Sequence, residues 1–181
     1  KSNAGSAYVF VKPAGGWTNT TQTAKLTASD ANDNDRFGQS VSISGNTAVA
    51  GAYLDDDVGS ATGSAYVFVM PAGGWSNMTQ TAKLRASDAV AGERLGLSVS
   101  ISEDTVLAGA PTDDDAGNCS GSAYVFIKPA TGWIDVTEAA KLTASDAAAD
   151  HEFGTSVSIS GETAVVGAYL QDGVGMNTGA A

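Results

Sequence analysis

The chain has 181 residues, with 20 acidic side chains against 9 basic ones and a formal charge of −11. That balance favours solubility and excludes a nucleic-acid binder, because phosphate recognition needs a Lys/Arg footprint. No apolar run is long enough to insert as a membrane helix, and Lys1-Ser2-Asn3 opens no signal-peptide pattern, as expected of a segment taken from within a precursor.

From the N-terminus, the first recognisable element is Gly-Ser-Ala-Tyr-Val-Phe at Gly5, which returns at Gly63 and Gly121, 58 residues apart each time. Trp17, Trp75 and Trp133 keep the same spacing, as do the Ala-Lys-Leu triplets at Ala24, Ala82 and Ala140. A fixed period of this size marks one supersecondary unit copied in tandem and stacked on its neighbours. The expected repeats are 5–62, 63–120 and 121–178, forming one segment over residues 1–181. Gly175 to Ala181 matches Gly59 to Ala65 in register, which reads as units of a longer array or units completed by a second copy.

Four short strands are expected per unit, separated by Gly, Asn, Asp and Pro. The first runs from Gln39 to Ser44, with Val41 and Ile43 alternating against serines. Gly45-Asn46 is a hairpin signal, kept as Gly161-Glu162 but replaced by Glu103-Asp104, so the turn type is free to vary. The second strand, Thr47 to Ala52, consists almost wholly of small residues and belongs where backbones crowd. The third spans Gly63 to Met70, with Ala65, Val67 and Val69 on one face and Tyr66 and Phe68 on the other. Both faces are apolar, so this strand lies between layers. The fourth is expected from Thr79 to Ala86, with Ala82 and Leu84 inward and Lys83 and Arg85 outward at a solvated rim. Small inner strands, an apolar middle and a charged outer strand describe a blade of a β-propeller.

Phe37-Gly38-x-Ser40-Val41 followed by Val49-Ala50-Gly51-Ala52 resembles the FG-GAP repeat, and the second copy holds the literal Gly109-Ala110-Pro111. The likeness covers the whole chain. It implies blades similar to those of the integrin α-chain head, a propeller used in extracellular adhesion. Many integrin-type blades carry an Asp-rich calcium loop between the first two strands. Here the corresponding loop is only Ser44-Gly45-Asn46-Thr47, too short and too poor in carboxylates for that site.

Other acidic loops repeat. Asp55, Asp56 and Asp57 are matched by Asp113, Asp114 and Asp115, then by Gln171, Asp172 and Gly173. Asp30, Asp33 and Asp35 are matched by Asp88 and Glu93, then by Asp146, Asp150 and Glu152. Calcium is left open as a ligand of Asp55 with Asp57, or of Asp33 with Asp35. The competing expectation is a solvated turn in which Asp30, Asp88 and Asp146 bond local backbone amides. No other cofactor is called for. His151 stands where other copies carry Asp35 and Glu93 and reads as a surface variant; no catalytic constellation is found. Cys119 reads as a tolerated loop residue. The three tryptophans are expected to cover the outer edge of their own blades, with a sugar-stacking ladder as the alternative. Asn19, Asn77 and Asn118 are N-glycosylation acceptors by pattern.

The expected fold is all-β: propeller-type four-stranded antiparallel blades with half-blades at both termini. Propellers have about four to eight blades, so these open edges should pair with neighbouring repeats or another copy. The expected function is a non-enzymatic extracellular or cell-surface module for structural assembly or adhesion. The alternatives are a propeller binding a protein or glycan, and an accessory domain of a secreted enzyme.

Overall fold

The computed structural model describes residues 1–171, 179 and 180. Asp172, Gly173 and most of the 175–181 match therefore lie outside the described residues. Every regular element within them is a β-strand. Strands β1 (Ala7–Val9) and β2 (Ala24–Thr27) pair antiparallel and correspond to the third and fourth strands of a blade. A full blade follows: β3 (Ser40–Ser44), β4 (Thr47–Ala52), β5 (Ser64–Val69) and β7 (Ala82–Arg85), each antiparallel to the next. Its copy is β8 (Ser98–Ser102), β9 (Thr105–Ala110), β10 (Ser122–Ile127) and β12 (Ala140–Leu142). A final pair, β13 (Ser156–Ser160) and β14 (Thr163–Gly167), supplies the first two strands of another blade. The half-blades are thus as expected.

One expected strand divides. Between Thr79 and Ala86 the chain does two jobs. Ala82–Arg85 close their own blade, whereas Met78–Thr79 (β6) run parallel to β2 of the blade before. Val136–Thr137 (β11) join β7 in the same way. The first half-blade and the first full blade are therefore each latched at the rim by the repeat that follows. Side chains complete the latch: Asn77 Oδ1 accepts the Lys25 backbone N–H at 2.8 Å, and Asp135 Oδ1 accepts that of Lys83 at 2.8 Å.

The two faces of the third strand behave as the alternation requires. Tyr66 and Phe68 are buried against the preceding half-blade with Val9, Leu26 and Phe37. Ala65 and Val67 are buried against the following blade with Val99, Ile101 and Tyr124. Phe37 meets Tyr66 and Phe68 edge-on, with centroids 5.5 and 5.8 Å away. Fully burying such a side chain stabilises by about 1.5–3 kcal/mol, so most of the core lies in the seams between blades.

At the hub, serines serve the inner strands. Ser42 and Ser44 Oγ accept the backbone N–H of Ile101 and Glu103, and Ser100 and Ser102 accept those of Ile159 and Gly161, at 3.0–3.1 Å. The hairpin turn keeps one geometry, because Glu103 adopts a φ of 52° where Gly45 has 54° and Gly161 has 55°.

The small residues of the second strand answer to a backbone contact. A Cβ on Gly51 would stand 1.9 Å from the Gly96 carbonyl oxygen, and one on Gly109 1.9 Å from that of Gly154. The Gly-Ala glycine of one blade is thus pressed against the Phe-Gly or Leu-Gly glycine of the next. Neither atom can swing aside as a flexible side chain would. Gly109→Ala is expected to cost on the order of 3 kcal/mol by overpacking, read as a lower midpoint in urea unfolding. Gly73→Ala, with nothing within 4 Å of its Cβ, is the control and should be near neutral.

Candidate functional site

The loop between β4 and β5 brings Asp55 and Asp57 beside the outer strand of their own blade, and Asp30 reaches the same point from the half-blade before. Their carboxylates approach within 4.8 Å of one another, as do those of Asp88, Asp113 and Asp115 one repeat later. Such triads could hold a cation. Each already holds one. Lys83 Nζ lies 2.6 Å from Asp30 and 2.8 Å from Asp55 and also pairs with Asp57. Lys141 Nζ lies 2.8 Å from both Asp88 and Asp113 and also pairs with Asp115. The ammonium stands where a metal ligated by Asp55 and Asp57 would sit.

This corrects the expected outward Lys83. Its side chain is 2% exposed, and that of Asp55 is 1% exposed. The strand alternation does point Lys83 away from Ala82 and Leu84, but toward the preceding blade and not toward water. Its stem crosses the ring of Tyr66, with Nζ 4.9 Å from the centroid; Lys141 lies 5.1 Å from that of Tyr124. A desolvated ammonium over an aromatic face gains cation–π attraction.

The tyrosines close the cage. Tyr66 donates to Asp30 at 3.2 Å, and Tyr124 donates to Asp88 at 3.0 Å and to Asp113 at 2.6 Å. Ser64 donates to Asp55 at 2.5 Å. Asp30 and Asp88 therefore reach across a seam, which corrects the expectation that they serve only their own turns. Burial would lower the Lys83 pKa, but hydrogen bonds to Asp30, Asp55 and Asp57 outweigh it and hold it above the usual value. Burial would raise Asp57, but Lys83 and Arg85 hold its carboxyl below the usual range. Asp88 is held low against burial by Lys141 and Tyr124. Burial, followed by nearby Asp55 and Asp30, pushes the Tyr66 phenol far up, so it remains a donor.

The other candidates are used differently. Asp33 accepts the backbone N–H of Ser2 at 2.7 Å, and Asp35 accepts that of Asn32. Asp35 is buried, its Oδ1 has no partner, and burial pushes its carboxyl up. Glu93 repeats the arrangement with Val90 N–H at 2.7 Å. In the third copy Asp146 accepts from the Gln171 amide at 3.0 Å. His151, expected on the surface, is half-buried beside that pair with Nδ1 enclosed. Trp133 is buried in the seam between the full blades, and Trp75 packs half-buried in the seam before it. They cover seams and not their own outer edges; Trp17 is exposed. Asn19, Asn77 and Asn118 are all exposed, and Asn118 donates to Asp150 at 3.3 Å.

A family model described as the FG-GAP repeat matches residues 20–68, 78–126 and 136–181. The chain belongs to the FG-GAP repeat family. No curated protein matches it. As an FG-GAP chain it is an integrin-like propeller module, and the family is generally non-enzymatic and occurs in extracellular and cell-surface proteins. No helix among the described residues is long and apolar enough to cross a membrane.

Removing one partner of a buried ion pair costs about 3–5 kcal/mol. Lys83→Met is expected to lose that much at neutral pH in urea unfolding, because Asp55 is left buried and uncompensated. Asp35→Asn has the opposite sign. The raised carboxyl of Asp35 favours the folded state below its ordinary pKa of 3.8, and that contribution is lost as pH rises through the folded value. At neutral pH the asparagine variant should be at least as stable as the parent. Its relative advantage should shrink as pH falls toward 3.8 and below, measured by unfolding across that range.

Proposed function

We propose that this chain is a non-enzymatic, extracellular structural module, whose blades bind one another without a metal and serve surface assembly or adhesion. One observation carries the reading: the same lysine-filled cage sits at the same place in both complete seams. In each, a lysine and two aspartates of one blade (Lys83 with Asp55 and Asp57, Lys141 with Asp113 and Asp115) take hold of one aspartate of the blade before (Asp30, Asp88). A site for one specific ligand would make one of these two seams differ from the other in these residues. It would also leave some charge unpaired for recognition.

An internal ammonium needs no supply of ions, so assembly is independent of external calcium. Exposed Asn19, Asn77 and Asn118 suit a surface that carries glycans. Asn77 and Asn118 also make contacts between repeats, with the Lys25 amide and with Asp150, so a glycan on Asn19 disturbs the blade contacts least.

Two measurements test this. The thermal midpoint should be the same in EDTA and in millimolar calcium; a calcium-dependent rise overturns the metal-free reading. Antibodies to the chain should label intact cells of its source before permeabilisation. Labelling only after permeabilisation overturns the extracellular placement.

A further inference from the structure

The two rim latches are the shortest ladders between repeats. Strand β6 meets β2 over two residue pairs, Met78 with Leu26 and Thr79 with Thr27. Strand β11 meets β7 in the same way, Val136 with Leu84 and Thr137 with Arg85. So brief a pairing is not stable by itself, and side chains on either end hold it. At one end Asn77 accepts the Lys25 amide and Asp135 the Lys83 amide, both at 2.8 Å. At the other end Gln80 accepts the Ser29 N–H and donates to its Oγ, each at 2.9 Å. Glu138 clasps Ser87 likewise, accepting its N–H at 2.9 Å and its hydroxyl at 2.6 Å. Between these ends one half-buried apolar side chain packs into the seam: Met78 on the cluster of Leu26, Val136 on the cluster of Leu84.

The apolar anchors of the two latches therefore differ in chemistry. A valine is inert to mild oxidants, whereas a methionine thioether is not. Half-burial leaves Met78 within reach of a molecule as small as a peroxide. Met70 is half-buried too, but the other copies carry Lys12 and Lys128 at its place, so that position accepts a polar group. Both latches that meet a strand keep an apolar residue at the position of Met78.

We propose that Met78 is an oxidation site that releases the first rim latch, with hydrogen peroxide as the class of oxidant. The sulfur lone pair attacks one peroxide oxygen and the O–O bond breaks. That oxygen stays on sulfur and the other leaves as water, so sulfur is oxidised by two electrons and the peroxide is reduced by two. The product is a polar sulfoxide where a thioether packed on Leu26. An oxygen that keeps this contact gives up its hydration, so the side chain turns outward and takes the two-pair ladder with it. Asn77 and Gln80, one and two residues away, then lose their hold on Lys25 and Ser29. The second latch, anchored by Val136, stays closed. This switch goes beyond the blade-stacking reading and stands without it.

The test is hydrogen exchange of the folded chain before and after treatment with hydrogen peroxide, with peptide mapping of the added oxygen. Oxidation of Met78 should lower protection of the Lys25 and Ser29 amides by roughly 10-fold or more. The Lys83 and Ser87 amides should keep theirs. Met78→Val copies the second latch, so it should fold as the parent does and stay protected in peroxide, although Met70 and Met176 remain. Met70→Lys should respond as the parent does. Three results overturn the proposal. One is a Met78 that resists oxidation in the folded chain under conditions that oxidise it in urea. Another is oxidation of Met78 with protection at Lys25 and Ser29 unchanged. The third is an equal loss of protection in Met78→Val, or no loss in Met70→Lys, which would place the effect at another methionine.

Discussion

The fold depends on how closely one blade backbone approaches the next. Gly63 and Gly121 sit at positive φ, and a Cβ there would come within 2.2 Å of the carbonyl oxygens of Leu95 and Phe153. Gly51 and Gly109 meet equally near carbonyls closer to the hub. These contacts fix the separation and angle of successive blades before any side chain is considered. The aromatic packing of Tyr66 and Phe68 works only at that spacing. So does the reach of Asp30 across the seam to Lys83. The Phe-Gly and Gly-Ala elements that define the family are, physically, the two sides of one backbone contact.

Within that spacing the seam has a direction. One face of each blade carries large aromatics and the lysine; the other carries small aliphatics and the receiving aspartate. A blade can therefore follow another in one order only. The charged cage reinforces this, since Lys83 facing another lysine, or Asp30 another aspartate, would leave buried like charges, which are strongly unfavourable. Calcium in an integrin-type loop and lysine in this cage share a physical role, neutralising carboxylates where chain segments converge. They differ in what the surroundings must provide. A tethered ammonium is present as soon as the chain folds.

Much of this architecture was legible in the sequence. The 58-residue period, the strand order, the half-blades and the two apolar faces of the Tyr-Val-Phe strand all follow from local alternation and turn residues. The buried Lys83 did not follow, because alternation says only that Lys83 and Ala82 point to opposite sides. It does not say that another blade covers the second side. The signal was present in another form: one lysine and three aspartates recur together at the same period, at Lys83 and Lys141. Charges of opposite sign that keep step through a repeat are candidates for mutual contact. The division of the fourth strand was hidden for a similar reason, since Met78–Thr79 pair with residues one repeat upstream, beyond any local pattern.

The hub serines have a further consequence. An inner strand of a blade is an edge, and an edge with unpaired amides invites strand addition by any passing chain. Ser42, Ser44, Ser100 and Ser102 hold the amides of the next inner strand. The hub edges of β8 and β13 thereby have amides occupied by hydroxyl groups that add little bulk. A stretch of sequence that reads as a featureless Ser-Val-Ser-Ile-Ser strand thus acts as a guard against amyloid-like growth from the axis.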